Sequence, residues 1–198
     1  MSNLSEYIKR PGRLACCAIL MLTGCQLSTS NSKEEVTQPE LTERLVPNAL
    51  EAAYFRALRL AEQGDPATLS LCDSLLANSG SAGGAEPYYY KGIYFETIKE
   101  PVKAIGWFDK TIQTDYNFYE AYIEKAALLL ELKQFEPALK ELELLRTLSP
   151  GYAPVHYWLG KWADRLGKKE KALEHFRLAL SLDTSLTEAR AALQRLEK

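Results

Sequence analysis

Histidine is scarce in this chain: His156 and His175 are the two among 198 residues. They stand 19 positions apart, which rules out the paired histidines of a zinc-binding helix. Gly80, Gly83 and Gly84 precede Pro87 with no Lys-Ser or Lys-Thr behind them, so a phosphate-cradling loop is missing. No serine sits in a Gly-x-Ser-x-Gly elbow. Charge of one sign is not in surplus either. The formal net charge is −2, which argues against nucleic acid and anionic lipid as partners. Strand-like alternation of apolar and polar residues is not evident. The apolar run Leu14 to Leu22 has nine residues, against the ~20 that cross a bilayer. No cofactor or metal is expected, and the chain reads as non-enzymatic.

What is present begins at the amino terminus. Lys9, Arg10 and Arg13 lead into that apolar run, which closes on Leu22-Thr23-Gly24-Cys25. Basic, apolar and small residues in this order form a secretory signal over 1–24. Leu-Thr-Gly-Cys resembles the lipobox of bacterial lipoproteins. The resemblance implies acylation of Cys25, which becomes the first residue. Cleavage removes Lys9, Arg10, Arg13 and Glu6. The 24 Lys and Arg against 26 Asp and Glu become 21 against 25, a net charge of −4. Attachment to a membrane would then rest on the lipid anchor, since two or more acyl chains hold stably where one is marginal. Gln26, rather than aspartate, implies passage to the outer membrane of a bacterial cell envelope. Residues 25–46 have little to bury and read as a tether, spanning on the order of 25 Å.

The four cysteines suggest two disulfides, but the count misleads. Cys16 and Cys17 fall in the signal, and Cys25 would be blocked by lipid. Cys72 remains alone, so no intrachain bridge is expected. It reads as a small packed side chain, with no basic residue near it in sequence to lower its pKa.

From about Asn48 the chain repeats itself. Ala104, Ala138 and Ala172 are 34 apart, as are Gly92, Ala126 and Gly160, and Phe108, Leu142 and Phe176. Each unit holds two apolar-periodic stretches of helical length. Pro66, Pro87, Pro101, Pro137 and Pro154 fall near predicted helix starts, where a missing N–H is harmless. Period and columns resemble the tetratricopeptide repeat. The resemblance implies an all-α superhelix of stacked antiparallel helix pairs, about four repeats and a capping helix. A degenerate unit covers 47–84, with Leu69 in the small-residue column and one or two extra residues near 79–84. Regular units cover 85–118, 119–152 and 153–186. Thr111 and Tyr116 depart from the pattern. A polar helix, 187–198, closes the stack.

In such arrays the first helices line a concave groove. Carrying the groove columns over gives Glu86, Tyr89, Tyr90, Ile93, Glu96 and Thr97 from one unit. The next gives Glu120, Ile123, Glu124, Ala127, Leu130 and Glu131. The last gives Pro154, Tyr157, Trp158, Lys161, Asp164 and Arg165. Tyrosine and tryptophan supply contact area with a polar tip; the carboxylates make most of the groove acidic. Chaperone-binding members grip a terminal carboxylate with Lys, Asn and Arg. Tyr89, Ile93 and Glu124 stand at those places, so that clamp is absent. The expected partner is a protein or peptide segment with basic and apolar side chains. Binding of glycans or small molecules, or pairing of two copies as a homodimer, are the alternatives. His156 shares a column with Tyr88 and Tyr122 and is expected to pack between helices.

Overall fold

A computed structural model describes residues 49–78 and 84–198. The signal segment, Cys25 and the tether lie outside the described residues. So does most of the 79–84 connection. The described part contains nine helices and no strand. They are α1 (Ala49–Gln63), α2 (Ala67–Asn78), α3 (Glu86–Thr97), α4 (Pro101–Thr114) and α5 (Tyr119–Glu131). Then come α6 (Phe135–Leu148), α7 (Ala153–Arg165), α8 (Lys169–Leu182) and α9 (Thr187–Glu197). Each packs on the next, and first helices also meet first helices, α1 with α3 and α5 with α7.

The 34-residue columns become the core. Ala104, Phe108 and Thr111 on α4, Ala138, Leu142 and Leu145 on α6, and Ala172, Phe176 and Ala179 on α8 are all fully buried. Thr111, the polar exception, fits because its hydroxyl donates 3.0 Å to the Trp107 carbonyl one turn back. The small first-helix column admits the bulky second-helix one. A Cβ on Gly92 would stand 2.4 Å from the Phe108 ring, and one on Gly160 2.6 Å from the Phe176 ring.

The turn between paired helices reverses through one left-handed residue. Lys99 (φ 64°), Lys133 (φ 59°) and Gly167 (φ 69°) hold that place in the regular units, and Gly64 (φ 67°) in the first. Pro87, Pro101 and Pro154 sit in the first turns of α3, α4 and α7, as their spacing predicts.

The first unit departs from its predicted register. On α2 the buried trio is Thr68, Cys72 and Leu75, with the same 4-then-3 spacing as Ala104, Phe108 and Thr111. Thr68, not Leu69, therefore takes the small-residue column, and Leu69 is half-buried. Thr68 follows the left-handed Gly64 by four residues, where Ala104 follows Lys99 by five, so the buried column of α2 is reached one residue sooner. The Thr68 hydroxyl is satisfied by the Asp65 carbonyl at 2.7 Å.

Two lysines tie unit to unit. The Lys91 ammonium on α3 lies 2.5 Å from Asp73 on α2. One repeat on, Lys125 on α5 lies 2.6 Å from Asp109 on α4 and 2.6 Å from Glu141 on α6. Leu159 takes the lysine's place in the last unit. At the carboxyl end, Arg195 of α9 pairs with Asp164 of α7, and Glu197 accepts from Arg177 of α8 at 2.7 Å.

Lys91 also bears on Cys72. It is the base near the thiol that the linear sequence hides. Even so, burial outweighs it and pushes the Cys72 thiol up to about 11, so the thiolate is disfavoured.

Candidate binding face

The first helices α3, α5 and α7 carry all the groove residues, but at unequal depth. Tyr89 is 6 % exposed, its ring 4.8 Å from Phe118 and 5.6 Å from Phe108. Ile93, Ile123, Glu124, Ala127, Leu130, Pro154 and Trp158 are likewise buried. These eight are corrections to the expected open groove: the repeat columns give direction around the helix, not depth.

The others stay accessible. Glu86, Tyr90, Glu96, Glu120, Tyr157, Lys161 and Asp164 are half-buried, and Glu131 and Arg165 are exposed. Tyr90 meets Tyr54 edge-on at 6.4 Å, which joins the degenerate unit to the face. Tyr157 leans on Phe176 at 5.9 Å and on Trp158 at 5.6 Å. Burial pushes its phenol up to about 12, so it stays a neutral donor. The Tyr152 hydroxyl lies 3.5 Å from a Glu120 carboxylate oxygen.

The face is electrically divided. Glu96, near the end of α3, is raised to about 7 by burial and by the neighbouring Glu131 at the end of α5, with Lys99 opposing. Beyond Glu131 the sign changes. Burial, then Arg165, lowers the Lys161 ammonium, and Arg195 adds to the effect. Sequence reasoning missed Arg195 because it lies on the capping helix, outside the repeat columns. An acidic stretch therefore runs into a basic end formed by Lys161, Arg165 and Arg195. No group of three or more His, Cys, Asp or Glu side chains among the described residues is placed to hold a metal.

The Tetratricopeptide repeat family profile matches residues 153–186. MamA 41-end from Desulfovibrio magneticus RS-1 superimposes with a TM-score of 0.58 at 25 % identity, over 76 % of this chain and 84 % of that one. The fold is a tetratricopeptide-repeat array. The first TPR of Spaghetti (RPAP3), bound to the HSP90 peptide SRMEEVD, gives 0.53 at 22 % identity, over 57 % of this chain and 90 % of that one. Among curated proteins, Anaphase-promoting complex subunit 3 of Schizosaccharomyces pombe is 36 % identical over 96 residues, 48 % of this chain and 14 % of that protein. Cell division cycle protein 27 homolog A of Arabidopsis thaliana is 33 % identical over 100 residues, 50 % of this chain and 14 % of that protein. The array thus spans a small part of the curated relatives it matches. No described helix of the array is long and apolar enough to cross a membrane.

Proposed function

We propose that this chain is a non-enzymatic adaptor whose first-helix face holds a protein or peptide segment. Lipid on Cys25 keeps it at a bacterial envelope membrane, facing the periplasm from the outer membrane. The observation that carries the adaptor reading is the accessible row Glu86, Tyr90, Glu96, Glu120 and Glu131, running into Tyr157 and Lys161. Carboxylates beside half-buried aromatics suit basic side chains interleaved with apolar ones. With Tyr89, Ile93 and Glu124 at the clamp positions, and all three buried, a terminal carboxylate finds no cationic grip. The anchor rests on the Leu22-Thr23-Gly24-Cys25 box and the basic-apolar run before it.

A photo-reactive side chain at Tyr90 of the full chain, compared with one at Lys110 on α4, tests the face. A discrete adduct from position 90 that Glu131→Lys abolishes is expected. Equal adducts from both positions, or none from position 90, would defeat the adaptor reading. Intact mass of the membrane-extracted protein tests the anchor separately. A start at Cys25 with added acyl mass supports it, and a protein retaining Met1 without lipid ends it.

A further inference from the structure

Two columns that face each other inside every regular repeat carry unlike pairs. In the first regular repeat Tyr88 of α3 stacks on Trp107 of α4, centroids 6.2 Å apart. In the second the places hold Tyr122 and Glu141. In the last they hold His156 of α7 and His175 of α8, rings 6.0 Å apart and inclined by 24°. These are the chain's two histidines, and the fold brings both to one spot.

His156 does what Tyr122 does a repeat earlier. Tyr122 donates its hydroxyl to the Tyr116 carbonyl at 3.3 Å. His156 Nε2 lies 2.9 Å from the Pro150 carbonyl, in the same column. A carbonyl only accepts, so Nε2 carries the proton. The neutral ring then leaves Nδ1 as a bare lone pair, and that atom is buried without a partner. His175 Nδ1 is buried and unpartnered too. A second proton on either ring needs an acceptor at a buried Nδ1, or a ring displaced to water, and sets a cation beside the other imidazole.

His175 faces Glu143 from α6, His156 from α7, and Glu174 and Lys171 from its own helix. Glu143 and Glu174 favour the cation, while burial, His156 and Lys171 oppose it and prevail, holding the His175 pKa below its ordinary value. Glu143 is also engaged by Arg146 at 2.6 Å.

We propose that His156 and His175 form an acid-sensitive latch between α7 and α8, so that mild acidification loosens the last repeat and with it the basic end of the binding face. The coupling is direct: α7 carries Tyr157, Lys161 and Asp164. The sign follows from linkage. The unfolded chain takes up a proton near pH ~6.5 that the folded repeat resists. The stability contributed by His175 is therefore full above that pH and falls as the solution is acidified through it. The Tyr88–Trp107 pair in the first regular repeat holds no imidazole.

Two measurements on the full-length protein test the latch. Imidazole resonances, one set per histidine, are followed from pH 8 to pH 4.5. Amide exchange, corrected for intrinsic rate, is compared between α7–α8 and α3–α4 at pH 7.5 and pH 5.5. We expect His175 to titrate below the free-imidazole value and protection to fall severalfold more in α7–α8 than in α3–α4. His156→Tyr with His175→Gln, which copies the neighbouring repeat's pair without its charge, should erase that difference. Titration of His175 at or above the free value overturns the proposal whether or not the double variant folds. So does a difference in protection that persists in a folded double variant.

Discussion

Gly160 lies so close to the ring of Phe176 that there is no room for a Cβ between α7 and α8. Gly92 and Phe108 repeat this contact on α3 and α4. Where the second helix carries the smaller Leu142, the first carries Ala126. The two columns thus share a fixed volume, as close packing requires. Gly160→Ala is expected to cost about 1–3 kcal/mol by overpacking. Phe176→Leu added to it should recover part of that loss. Urea unfolding of the two single variants and the double variant gives the coupling. Additive losses would contradict the shared volume.

Lys125 joins two repeats through Asp109 and Glu141. Burial alone would lower its pKa, but the bonds to Asp109 and Glu141 outweigh burial and raise it. A lysine raised on folding contributes fully below the free value of ~10.4, and the contribution disappears as pH climbs through the folded value. Lys125→Met should therefore destabilise by about 1–3 kcal/mol at pH 8. The gap from wild type should narrow by pH 11. Denaturant midpoints at the two pH values check both statements.

Glu96 has the opposite dependence. Its carboxyl is raised to about 7 by burial and Glu131, so the folded state holds a proton that the unfolded state releases near pH ~4.3. Stability falls as pH rises from there towards 7, and the loss persists above. Glu96→Gln should raise the melting temperature at pH 8 and leave it nearly unchanged at pH 5. A variant less stable than wild type at pH 8 would contradict this.

Lys133 occupies the left-handed position that Gly167 fills one repeat later. Lysine is strained there and glycine is not. Part of glycine's gain is offset by the greater freedom it gives the unfolded chain. Lys133→Gly is expected to stabilise by about 0.5–1 kcal/mol, read as a shift in urea midpoint.

The regular units were legible because Ala104, Phe108 and their counterparts recur at one fixed interval and are large or small for a packing reason. The first unit was legible only roughly. Its phase differs: counting 34 back from Ala104 lands on Ser70, and the buried residue is Thr68, two positions earlier. The face was legible in outline: column positions say that Tyr89, Glu124 and Trp158 point towards it. They do not say that neighbouring side chains such as Phe118 close over Tyr89. The ion pairs left one usable trace, since Lys91 and Lys125 are themselves a repeat apart. Nothing in the repeat pattern marks Arg195, which reaches Asp164 from outside it. The histidine pair was half visible. The Tyr88 and Tyr122 column predicted that His156 packs between helices, but not that His175 lies opposite.

Glu143 stands in the column of Asp73 and Asp109, yet Leu159 rather than a lysine follows it. A tandem duplication of 119–152 would therefore set the duplicate's Lys125 against the Glu143 carboxylate, which Arg146 now holds. The stack could lengthen there without any new mutation at the seam. The opening unit, with its altered phase, offers no such seam. The middle of the rod is thus where an added unit would find its seam ion pair ready made.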